Sequence, residues 1–153
     1  MDAKQILQQL QVLFIALAAT PLFLMGAAYF GGFTFADEAG TEHLQSTLMY
    51  IVLAFTLGSL AISHLFVPRL IAGIRSDKSL EVKLKEYMGF YIMRMAALEG
   101  ASILAAVAYM LTLDMMFVWI FVAVWGFFMF ARPTKFGAIN DLHLVDREVM
   151  ELG

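Results

Sequence analysis

Four long apolar runs alternate with short polar stretches along this chain. They extend from about Leu10 to Phe33, Leu48 to Val67, Tyr87 to Leu111 and Met115 to Ala131. A bilayer core of about 30 Å takes about 20 residues of helix at about 1.5 Å per residue. Runs of this length predict transmembrane helices, because only a helix or a closed barrel satisfies its own backbone in lipid. The fourth run is the shortest but is uninterrupted, and it is read as spanning too. Gln5, Gln8, Gln9 and Gln11 continue the first helix into the headgroups. That run is too long for the apolar part of a signal peptide, and its Gly/Ala exit is a poor cleavage site, so an uncleaved first helix is expected.

The connections arrange these helices as two antiparallel hairpins. Thr112-Leu113-Asp114 is tight enough to force one hairpin, and Gly31 to Gly40 is the outer loop of the other. Residues 69–86 form the middle loop, in which Ser79 is placed to cap the next helix. Pro133 should end the fourth helix or start a new segment. Beyond it, Ile139, Leu142, Val145, Val149 and Leu152 recur at roughly helical spacing, with Asp141, Asp146, Arg147, Glu148 and Glu151 largely elsewhere. That pattern predicts a short amphipathic helix over 139–152, either packed on the bundle or docking a cytoplasmic partner. The expected fold class is an all-α polytopic membrane protein forming a single domain over 1–153, with a tail from 132 onward.

Composition places the chain outside the soluble range: of its 153 residues 61% are hydrophobic and 15% charged. The net charge of -3 and the lack of a basic patch interleaved with aromatics argue against nucleic acid as a partner. The absence of cysteine excludes disulfides, thiolate metal sites and thiol catalysis. Charge also orients the helices. Lys4, the middle-loop Arg69, Arg75, Lys78, Lys83 and Lys85, and the tail residues Arg132, Lys135 and Arg147 all fall on one side. The other connections hold only acids: Asp37, Glu38 and Glu42 in one, Asp114 in the other. The positive-inside rule puts both termini and the middle loop in the cytoplasm.

Arg94 is the one basic residue left over, and it shares the third helix with Glu99. A charged carboxylate mid-membrane costs about 2.5–3.5 kcal/mol on insertion scales, so it should face the bundle or a subunit contact. Ser102, three residues on, shares its face and is a candidate donor. Glu99 reads either as an ion- or proton-binding carboxylate or as a neutral or paired acid that joins helices. Arg94 lies about 140° around the helix from Glu99 and either snorkels to the headgroups or joins a buried polar cluster with His64. His43 and His143 have no partner spacing, so no metal site is expected. Ala97, Ala101 and Ala105 form a small-residue row, with Gly100 beside it, that lets helices approach closely. Pro21 should bend the first helix near the depth of Glu99. The first and third helices are then the inner pair. The second and fourth, with Phe55, Phe66, Phe117, Trp119, Phe121, Trp125, Phe127, Phe128 and Phe130, face lipid. No phosphate loop, nucleophile elbow, metal-binding His pair or haem ligand pair appears, so neither a cofactor nor catalysis is expected.

The first and third helices align, Phe23-Leu24-Met25-Gly26-Ala27-Ala28-Tyr29 on Ile103-Leu104-Ala105-Ala106-Val107-Ala108-Tyr109, which suggests a duplicated hairpin. Two hairpins with one intramembrane Glu resemble the proteolipid c subunits of vacuolar-type rotary ATPases, and that resemblance implies an ion-carrying Glu99. In that family, however, the carboxylate sits in the second helix of its hairpin. The segment from Tyr87 to Leu144, with Arg94-Met95-Ala96-Ala97-Leu98-Glu99-Gly100, Arg132-Pro133-Thr134 and Asn140-Asp141-Leu142, resembles small bacterial four-helix inner-membrane proteins and implies no activity. The expected function is that of a non-catalytic inner-membrane protein acting through helix packing, as a homo-oligomer or an accessory subunit. The alternative is an ion- or proton-binding protein centred on Glu99.

Overall fold

A computed structural model describes residues 3–32, 35, 41–74, 77–145 and 149–150. The outer-loop acids Asp37 and Glu38, the middle-loop Arg75, and Arg147 and Leu152 of the tail lie outside the described residues. The described residues contain helix and no strand. The helices are α1 (Ala3–Gly31), α2 (Thr41–Ala61), α3 (Val67–Ala72), α4 (Leu80–Thr112), α5 (Met115–Phe130) and α6 (Lys135–Asp141). One turn of π-helix, Ile62–Phe66, joins α2 to α3 without a break.

Among the described residues three helical stretches are long and apolar enough to cross a membrane: Lys4–Gly31, His43–Ala72 and Leu80–Thr112. The fourth apolar run folds as a helix over the expected residues, Met115–Phe130. α5 has 16 residues, about 24 Å at about 1.5 Å per residue, and reaches spanning length only together with α6, to which it is bent by 76°.

α4 is the central post and packs against α1, α2, α3 and α5. Tyr29 stacks on Tyr109 at 6.1 Å between ring centres, so α1 and α4 run side by side in the same direction. The core divides along the bundle axis. At one end Leu10, Val67, Ile71, Leu84, Leu98, Phe128 and Ala138 cluster. At the other Met25, Val52, Ala105, Phe117 and Phe121 do. The polar residues Ser59 and Ser102 are buried near the junction.

Three expectations are corrected by this arrangement. The middle loop, expected over 69–86, is shorter at its first end, because the second helix continues through the π turn to Ala72; α4 begins at Leu80 with Ser79 at its N-cap, as expected. Arg69, Lys83 and Lys85 sit on helices, where Lys85 pairs with Glu81 at 2.8 Å, and Lys78, just before α4, pairs with Glu86 at 2.5 Å. The aromatic residues of α5 are not uniformly outward. Phe117, Phe121 and Phe128 are buried, whereas Trp119 and Phe130 are exposed. The expected tail helix is also interrupted: α6 ends at Asp141, and His143 takes a left-handed φ of 47°. Ile139, Leu142 and Leu144 nevertheless pack against the core. As expected from the glutamines before the apolar run, α1 begins ahead of Leu10, at Ala3, and Pro21 lies buried inside it.

The α4–α5 hairpin carries its own signals. Asp114 caps α5 by accepting from the Met116 N–H at 2.9 Å, and Gln45 on α2 donates to the same carboxylate at 2.6 Å. Leu113 closes the turn at φ 55°, a left-handed conformation that costs a residue with a Cβ about 1–2 kcal/mol. Leu113→Gly should therefore raise stability by about 1 kcal/mol, the gain being trimmed by glycine's extra freedom when unfolded. Thermal unfolding in detergent measures it.

Candidate functional site

The π turn is the local device around which a polar site forms. Pro68 has no N–H and in a regular helix would clash with the carbonyl of His64. The wider turn resolves this. The Val67 N–H reaches back to the carbonyl of Ile62, five residues away, and Pro68 falls in the first turn of a new α segment, where no donor is needed. Such insertions are frequent at functional sites. Here the turn buries Ser63 completely.

Arg94, on α4, donates from Nε to the Ser63 Oγ at 2.9 Å. Its guanidinium lies 5.8 Å from the centre of the Tyr91 ring, in cation–π range. Tyr91 donates its hydroxyl to the carbonyl of Ala131, where α5 ends. One turn back, the Tyr87 hydroxyl donates to the Asp141 Oδ2 at 3.3 Å, tying α6 to α4. α6 is in turn capped by Thr134, whose Oγ1 accepts from the Gly137 N–H at 2.9 Å. Pro68, Ile71, Ala72, Arg94 and Asp141 line one cavity of about 110 Å³. Lys83 is buried toward the same end of α4.

The expected polar cluster is thus rearranged. Arg94 has a buried partner, but it is Ser63. His64, the next residue along, is exposed on the other side of the π turn, its Nδ1 3.2 Å from the Leu60 carbonyl and its ring edge-on to Phe127. Ser102 is buried and donates to the Leu98 carbonyl at 2.9 Å, away from Glu99. Glu99 stands partly exposed on α4 and makes no hydrogen bond or ion pair among the described residues. It lies ten residues before Tyr109, as Ala19 lies ten before Tyr29, so the stacked tyrosines put Glu99 and Ala19 at matching depth. Ala101 and Ala105 are fully buried and Ala97 partly so; a Cβ on Gly100 would sit 3.4 Å from the Phe55 ring. Among the described residues no group of three or more acids and histidines is placed to hold a metal.

Sequence reasoning left Ser63, Tyr87, Tyr91 and Asp141 out of the site. Tyr87 and Tyr91 carried a signal, being spaced one turn apart in the band where membrane helices collect interfacial tyrosines.

No protein-family model, curated protein or solved structure matches this chain. What the site can do follows from its own chemistry.

Proposed function

We propose that this chain is a non-catalytic integral protein of a bacterial inner membrane that acts through helix packing, foremost as a homo-oligomer. In this reading α5 with the bent α6 supplies the fourth crossing, and both termini and residues 73–79 are cytoplasmic, as the distribution of Lys and Arg favours. The observation that carries the proposal is Glu99: a carboxyl group at mid-helix, partly exposed on the monomer and without a partner. Lipid is a poor cover for such a group. A second copy is a good one, because two carboxyls meeting across a two-fold axis share a proton and satisfy each other. Ala96 and Thr20 are exposed, and small residues of this kind allow close helix approach.

The chain has no cysteine, so Ala96→Cys creates a single reporter one turn from Glu99. Oxidation in native membranes should give a disulfide-linked dimer from Ala96→Cys and none from Leu57→Cys, an exposed position on α2. Equal cross-linking at both positions, or none at Ala96→Cys, would sink the homo-oligomer.

A second reading, that Glu99 binds an ion or proton, is favoured by Ser102 donating elsewhere, which leaves the carboxylate available. In that case a hydrophobic carbodiimide should label Glu99, and the bound ion should protect it. Labelling indifferent to sodium and to pH argues for the packing role alone.

A further inference from the structure

We infer that the cavity among α3, α4 and α6 holds the headgroup of a zwitterionic phospholipid with a primary ammonium group, its phosphate on Arg94 and its ammonium on Asp141. The observation is a pair of opposite charges lining one cavity of about 110 Å³ with no hydrogen bond or ion pair between them. Arg94 is half-buried and Asp141 exposed at the mouth of the cavity, and opposite charges so placed attract each other unless something holds them apart. Here both are held. Arg94 is tethered through Nε to the buried Ser63 and lies against Tyr91. Asp141 is the last residue of α6 and is tied through Oδ2 to Tyr87.

These tethers leave the complementary groups free. The terminal guanidinium nitrogens, the fork that suits phosphate, make no hydrogen bond among the described residues, and neither does Oδ1 of Asp141. Pro68, Ile71 and Ala72 supply an apolar wall, against which the glycerol end of a lipid can lie. The depth suits a headgroup: Tyr87 and Tyr91 mark the interfacial band on α4, and a long Arg side chain reaches that band from one turn deeper. The charge pattern selects within lipids. A purely anionic headgroup meets Asp141 unfavourably. A trimethylated ammonium has no N–H to donate to the carboxylate.

The inference rests on the membrane reading above but not on the homo-oligomer, and one experiment separates the two. Delipidated protein in detergent is titrated with phosphatidylethanolamine, phosphatidylglycerol and phosphatidylcholine, and bound lipid and protomer number are read from the same native mass spectra. Phosphatidylethanolamine should be retained preferentially. Arg94→Gln should weaken its retention about tenfold, the usual loss for one charge-assisted hydrogen bond to phosphate. Asp141→Asn, which keeps an acceptor for Tyr87, should shift preference toward phosphatidylglycerol. Equal retention of the three lipids, or an Asp141→Asn protein with unchanged preference, overturns the site whatever the protomer count. If Arg94→Gln fails to accumulate, Asp141→Asn alone decides. Free phosphoethanolamine serves as the soluble arm: if it binds and the lipid does not, the lipid assignment is wrong.

Discussion

Phe128→Ala should lower the stability of this protein by about 2–3 kcal/mol, whereas Phe130→Ala, two residues away, should leave it nearly unchanged. Phe128 is fully buried and stacks on Phe14 with ring centres 5.2 Å apart, joining α5 to α1. Phe130 is 91% exposed. In a bilayer the transfer part of the usual penalty shrinks, since lipid is about as apolar as the core. The cavity part remains: roughly 100 Å³ lost at about 24 cal/mol per Å³ gives the figure above. Thermal or chemical unfolding of both variants in one detergent tests it, and similar losses at the two positions would mean that α5 is turned differently.

The second large effect is expected at Ala101. It is fully buried on the central helix, as is Ala105 one turn on. At such positions nothing but a methyl group separates the α4 backbone from its neighbours, so a larger side chain must displace a helix. Ala101→Leu should cost about 3 kcal/mol, at the upper end of overpacking penalties, and lower the yield of folded protein. Gly100→Ala is the control. Its new Cβ would meet only the ring of Phe55 at 3.4 and 3.5 Å, an ordinary contact with a residue that is itself exposed on α2. A folded Ala101→Leu protein of native stability would refute close packing on this face.

The positions of the long helices were legible because lipid imposes a length and an apolar composition that few other structures need. Their facing was not. Met115 to Phe130 is apolar at every position, so no periodic contrast tells the buried Phe128 from the exposed Phe130; packing alone decides. The loop was overestimated for a related reason. Glu81 and Lys85 look like loop residues by charge, yet their i,i+4 spacing suits them equally well to the first turns of a helix. Arg94 and Glu99 stood out as charges in an apolar run. The partner of Arg94 did not, because the π turn changes which residues of the second helix face inward. Asp141 looked like the polar face of a longer tail helix, and the left-handed His143 that ends this regularity has no marker in composition.

The π turn also makes chain length at this point a variable in its own right. Removing any one residue between Ile62 and Phe66 would take out the extra residue that the wide turn accommodates and restore ordinary helical spacing. Pro68 would again oppose a carbonyl one turn back, kinking the helix at the point where Val67 and Ile71 are buried. Such a deletion would abolish the Arg94 site while leaving every residue of its wall in the chain. Shortening by one should therefore be more damaging here than most single substitutions, and relatives of this protein should keep the spacing between Ser59 and Pro68 more strictly than the identities of the residues within it.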